Sequence, residues 1–502
     1  MFQDVYSSNK SYWEKENRRE NPSGVLLYDN FYHEPQLQYG ISKVALSISK
    51  SMNLSPAVLL PWKDAPMSRS MCDMQFQMRD HVYIIILKHI FEFLGVFLFI
   101  GKKKLLSYSV GQDRIGTSIY DGILRRFGLK TLETIGLKYR LVVIFELCYY
   151  YYFLELISKH PIKAVVLGDN VYRFGLLFEM CKNRGILCFS PVNLNSFFTR
   201  KFVEKGDFKS NYLNHDLMDK LCGNVDYKTE VGKYFSNRYH GNIEQHDVLS
   251  AYSNKTVSTR QEFIEKYNIN PDKKTIILMC HVFADAPHAY SDALYNDYWE
   301  WFTTSYACLS NNSGINLLVK EHPSSHLYGQ KGIISAFLKG RGEEYRQIRE
   351  DESTLSILQN VDAVVTCGGT IGLEISYFGK NVILASKPPY SGLGFSKDFD
   401  CRVDYENYLK NEIQNIKNLT EEQREVSLRA AYIVFCLENN WSSAIELGGE
   451  IIYMGKEYDD EALCKNILHY NEVSLVEQNV YRYLDSFVHS EFKQFYSIIK
   501  EN

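Results

Sequence analysis

A chain of 502 residues exceeds the ~250–300 residues at which a single hydrophobic core stops growing, so two or more domains are expected. With 45% hydrophobic, 23% charged and 14% aromatic residues, the composition excludes a disordered chain, a collagen and a coiled coil. Lys and Arg number 56 against 60 Asp and Glu, a net charge of -4, so no whole-molecule field is available to hold nucleic acid and no nucleic-acid partner is expected.

The first residues are polar and lack an apolar run, so no secretory signal is expected. Residues 24–30 (GVLLYDN) read as a buried strand ending in Asp29 and Asn30. Residues 57–62 (AVLLPW) are a second strand, and 105–110 a weaker third. The apolar stretch 82–100 is long enough to cross a bilayer, but Lys88, His89 and Glu92 in its middle exclude a span. A helix buried or half-buried in the fold is expected there. Peripheral contact with the inner membrane is the alternative, because Lys102, Lys103 and Lys104 follow almost at once.

A helix is expected over 137–159, then a strand at 163–169 (KAVVLGD) ending in Asp169, a helix at 173–184, a stop at Gly185 and a strand at 186–190. Strand, helix, glycine and strand make a βαβ unit, which builds a parallel sheet and binds ligand beyond the carboxyl ends of its strands. Residues 196–272 are polar, with one helix at 259–267, and read as a linker and interdomain segment. Alternation resumes with strands at 274–282, 315–320, 363–366 and 381–385, and helices at 291–309, 329–340, 353–360 and 370–378. Beyond about 403 the chain reads as helical to its end. The expected domains are an α/β domain over 1–200, a linker 201–272, a second α/β domain 273–400 and a helical tail 401–502 packing back across both. The 11 cysteines are scattered singly, with no zinc spacing, so reduced thiols, no metal and a cytoplasmic setting are expected.

Four stretches could carry chemistry, each directly after a strand. Residues 361–378 end a strand in Cys-Gly-Gly-Thr and start a helix. Gly368 and Gly369 let backbone N–H groups approach an anion, Thr370 can cap the helix, and Glu374 one turn on could accept from ribose hydroxyls. Lys320-Glu321-His322-Pro323 ends another strand, and Pro323 biases His322 toward extended backbone, with Lys320 beside it. His281, Asp285 and His288 share a loop that could supply a general base. Tyr390, Gly392 and Gly394 lie in PPYSGLG, a loop that positions backbone near a ligand or packs its tyrosine.

These residues together resemble bacterial capsule and surface-polysaccharide biosynthesis proteins, the family that includes capsular Kdo transferases. The resemblance covers about 272–397 and includes Arg238 and Gly241 in NRYHGN. It implies two doubly wound α/β domains facing a cleft, the GT-B architecture, and a metal-independent glycosyltransferase without a cofactor. The nucleotide-sugar donor would sit in the C-terminal domain, and the acceptor would be a glycan or lipid-linked glycan. Lys320 and His322 would meet the donor phosphate and Glu374 the ribose, with Gly368, Gly369, Thr370, Tyr390 and Arg238 also donor-binding. Asp285 and His281 would be catalytic, with Asp29 and Asp169 as alternative bases. Other readings are a nucleotide-sugar 2-epimerase, a CDP-glycerol-type glycerophosphotransferase and a non-catalytic assembly scaffold.

Overall fold

The structure is a computed structural model that describes residues 1–31, 34–60, 65–192, 198–202, 212–223, 225–241, 252, 255–289, 292–437, 460–494 and 496. It divides into two units. Unit 1 comprises Met1–Tyr120, Thr134–Phe208 and Leu437–Asn502, and unit 2 comprises Asp121–Glu133 and Lys209–Cys436.

Unit 1 contains β1 (Val25–Asp29), β2 (Ser55–Leu60) and β3 (Gln75–Gln77). A separate two-stranded hairpin follows, β4 (Ser109–Val110) with β5 (Asp113–Arg114), then β6 (Ile162–Val166), β7 (Leu187–Val192) and β8 (Phe198–Phe202). The main sheet runs β3-β2-β1-β6-β7-β8, parallel except for β8 on β7. β1 and β6 are apolar runs buried along almost their whole length, as parallel strands covered on both faces must be. The helix before β7 stops at Gly185, whose φ of 67° is a left-handed cap that a side chain would strain.

Unit 2 holds β9 (Lys274–Met279), β10 (Ile315–Lys320), β11 (Ala363–Thr366), β12 (Asn381–Leu384) and β13 (Ser396–Lys397). These form one sheet in the order β10-β9-β11-β12-β13, parallel at every pairing. Its core joins Ile276, Leu278, Val319 and Val365 from the strands to Trp301 and Phe302 from the helix Tyr298–Ser310. The fold is thus mixed α/β with parallel sheets, as expected.

Several expectations change. The tract 105–110 is not a strand: the lysines belong to the helix Lys102–Leu106, and only Ser109–Val110 pair. The stretch 82–100 forms two helices, Val82–Lys88 and Ile90–Phe99, bent by 79°, and much of its apolar surface is exposed rather than buried. The helix expected from 291 begins at Tyr298, because the Asp297 side chain accepts from Glu300 N and caps it; residue 291 lies outside the described residues, as do 61–62 of the second expected strand. The segment expected as a linker is part of unit 2 from Lys209 onward. The expected tail divides: Arg402–Asn411 and Glu421–Ala431 belong to unit 2, whereas Asp460–Tyr470 and Asn479–His489 pack in unit 1 on Phe2–Glu16 and Pro35–Ser51. Among the described residues, one single helix, Leu137–Lys159, is long and apolar enough to cross a membrane, but 61% of its apolar window is buried within the fold.

Candidate functional site

Numbered from its own first strand, the unit 2 sheet runs 2-1-3-4-5, so the chain reverses direction across the sheet between β9 and β11. Loops leaving neighbouring strands on opposite sides open a crevice at their carboxyl ends, where open α/β sheets bind ligands. A cavity of about 290 Å³ lies there, lined among others by His281, Lys320, His322, Gly369, Thr370, Glu374 and Arg238. Its lining brings together residues that stand far apart in the chain.

His281 follows β9 and bridges the switch point. Its Nε2 accepts from Gly368 N at 3.2 Å, and its ring stacks on Tyr298 with centroids 4.4 Å apart. Burial, with His322 nearby, lowers its pKa to about 3. A ring whose lone pair already holds the Gly368 amide, and which protonates only in strong acid, is poorly suited as a general base. Its geometry is that of a neutral clamp on the glycine turn.

His322 takes the extended backbone that Pro323 favours, with φ -65° and ψ 130°. Ser324 N donates to its Nδ1 at 3.2 Å, so the neutral ring carries its proton on Nε2. Burial lowers its pKa to about 4, although Asp285 acts in the opposite direction. Lys320 ends β10, and its Nζ donates to the Arg349 and Glu352 carbonyls at 3.1 and 3.4 Å. Burial, then repulsion from Lys255, lowers its pKa to about 8. Such a cation gains from an arriving anion. The crevice therefore offers, two residues apart at a single strand end, a poised positive charge and a neutral N–H donor.

The opposite wall is built around Glu374. Tyr252 Oη donates to both carboxylate oxygens at 2.9 and 2.8 Å, and Arg238 Nη2 lies 3.3 Å away. The Arg238 and Glu374 side chains are 6% and 2% exposed. Burial opposes the guanidinium charge, but Glu374 and the tyrosines outweigh it and hold the arginine pKa above its ordinary value. Glu374 thus lines the cavity as half of an internal ion pair. Thr370 stands at the N-cap of Ile371–Tyr377 without a side-chain cap bond, contrary to expectation, because its backbone is already helical (φ -59°, ψ -14°).

Gly368, Tyr390 and Asp285 are not on the cavity wall. Gly368 is occupied with His281, and the buried Tyr390 donates from Oη to Gly369 O at 2.5 Å, bracing the turn from behind. Asp285 is exposed, near enough to His322 to act on its charge. His288 Nδ1 pairs with Asp121 at 2.6 Å, in the short stretch of the early chain that belongs to unit 2. Asp29 closes the corresponding switch point of unit 1, where it accepts from Gly168 N at 2.9 Å and burial holds its pKa well above the usual carboxylate range. Tyr252, Lys255, Ser324, Ser325 and Lys331 line the cavity with no motif to mark them in the sequence. Among the described residues, no group of three or more His, Cys, Asp or Glu is placed to hold a metal ion.

Residues 216–436 match the model of the family described as "Capsule polysaccharide biosynthesis protein", a stretch that contains the whole cavity lining. The capsule polysaccharide modification protein LipA of Neisseria meningitidis serogroup A is 25% identical over 150 residues, covering 28% of this chain and 21% of LipA. LipA of serogroup B is 28% identical over 152 residues, again covering 28% of this chain and 21% of the relative. The match therefore spans about a fifth of the length of these curated relatives. Among solved structures, KpsC of Thermosulfurimonas dismutans, a β-Kdo 2,4 transferase, overlaps 54% of this chain and 80% of its own at 16% identity and a TM-score of 0.30. The resemblance to capsule polysaccharide biosynthesis proteins holds for this part of the chain.

Proposed function

We propose that this chain is a glycosyltransferase of surface-polysaccharide assembly, working in the cytoplasm, whose unit 2 crevice holds the anionic nucleotide of an activated sugar. The observation that carries the reading is the meeting of Lys320, His322 and the Gly369-Thr370 turn around one cavity at the sheet's switch point, inside the stretch that matches the capsule family. Transfer needs a base to take the proton of the acceptor hydroxyl and groups that stabilise the departing phosphate. Lys320 and the His322 Nε2–H supply the second, in a pocket where burial strengthens both. Asp285, an exposed carboxylate beside His322, remains the candidate base, and His281 holds the turn. The acceptor is a glycan or lipid-linked glycan.

Incubating the purified chain with a panel of nucleotide sugars and capsular glycan fragments tests this. Nucleotide release should require acceptor and fall at least ~100-fold in His322→Ala, the scale of losing one transition-state donor. Conversion of UDP-GlcNAc to its 2-epimer without acceptor, or transfer unchanged in the variant, contradicts the reading.

A further inference from the structure

In a surface helix of a soluble fold the apolar stripe faces inward and the charges face water. The paired helices Val82–Lys88 and Ile90–Phe99 of unit 1 invert this arrangement. Two of their polar groups turn to the protein, Glu92 accepting from Tyr108 at 2.8 Å and from Tyr151 and the His89 ring stacking on Tyr151, while the exposed Lys88 meets Glu155 at 2.9 Å at the surface. A thin inner face of Val82, Ile85, Phe93 and Val96 is buried where the pair packs on Leu137–Lys159. The outer face keeps Tyr83, Leu87, Phe91 and Phe99 exposed at 78, 74, 87 and 68%. Arg140 donates to the carbonyls of Phe97 and Leu98, which ties the end of the pair to the turn bearing the exposed Leu137 and Leu141. The exposed apolar side chains are thus concentrated on this one segment rather than scattered singly.

We infer that this surface seats the protein on an anionic lipid bilayer, lying in the headgroup region without crossing it. At ~1.5 Å per residue the two helices are about 10 and 15 Å long, against a hydrocarbon core of ~30 Å, and their 79° bend lays them along an interface. Charge selects the occupant. The only carboxylate within 82–100 is Glu92, already engaged by two tyrosines, and the next helix opens on Lys102, Lys103 and Lys104, the last two exposed. Aromatic and aliphatic side chains outward with a lysine cluster at one end is the pattern of an interfacial anchor for acidic headgroups. The inference stands apart from the unit 2 cavity and survives if the nucleotide reading fails.

Flotation of the full chain with phosphatidylglycerol-containing vesicles, against phosphatidylcholine alone, tests it. The wild type should float with anionic vesicles, less so at high salt, and Lys103→Glu/Lys104→Glu should abolish the preference for anionic lipid. Leu87→Ser/Phe91→Ser/Phe99→Ser, all exposed positions, should weaken binding at least ~10-fold with an unchanged unfolding midpoint. A Phe91→Trp variant should show blue-shifted fluorescence on vesicle addition, independently of the serine variants. Absence of flotation by the wild type, flotation unchanged by the triple substitution, or a self-association abolished by it without lipid binding would each overturn the inference.

Discussion

Lys320 is held between burial and repulsion from Lys255, and its pKa near 8 makes ligand binding and proton binding one equilibrium. An anion in the crevice favours the charged amine, so the complex holds the proton more tightly than the empty site. Affinity for a nucleoside diphosphate should therefore fall as pH rises above about 8, and Lys320→Met should remove that fall, as titration calorimetry across pH can check. Arg238 presents a different balance. Removing it strands the Glu374 carboxylate with only Tyr252 beside it, in a wall where both partners are nearly inaccessible. Arg238→Ala should cost about 3–5 kcal/mol in urea unfolding, and Arg238→Met/Glu374→Met distinctly less, since an apolar pair leaves no buried charge. Equal losses in the two variants would contradict an internal ion pair.

At the scale of elements, the glycine turn is braced by close packing. A Cβ on Gly372 would lie 2.3 Å from Tyr390 Oη and 2.8 Å from its Cζ, so Gly372→Ala must push the ring or the helix. It should destabilise by about 1–3 kcal/mol and weaken nucleotide binding as Gly369 moves with the tyrosine that holds its carbonyl. β9, β10, β11 and β12 were legible in the sequence because buried parallel strands are continuous apolar runs, and the site residues directly after three of them followed from that. What the sequence concealed depends on pairing across long separations. Tyr252 and Lys255 sit in a polar stretch whose partners are Glu374 and Glu350, and nothing local marks a tyrosine that will be buried against a carboxylate 122 residues away. The helices of 82–100 were legible only in part for a related reason: apolar content announces a buried or half-buried element, but which face meets Glu155 and Tyr151 is decided only by folding.

For the whole molecule, the neutral histidines make acid a destabilising agent. In the folded chain His281 and His322 take protons only near pH 3 and 4, whereas an unfolded histidine does so near ~6.5. Between those values the unfolded state binds more protons, so stability falls as pH drops below ~6.5, by up to about 1.4 kcal/mol per pH unit for each ring. Urea unfolding from pH 7 to 5 should show a shallower slope in His281→Gln/His322→Gln than in the wild type; identical slopes would mean the rings are accessible to protons in the fold. The most direct test of the central claim is calorimetric titration of UDP, CDP and CMP into the intact wild type, Lys320→Ala and His322→Ala. At least one nucleotide should bind the wild type, and either substitution should weaken it ~10-fold or more in a variant that still unfolds cooperatively. Binding of none of them, or binding that both variants retain in full, would contradict a nucleotide site at the β9–β11 crevice.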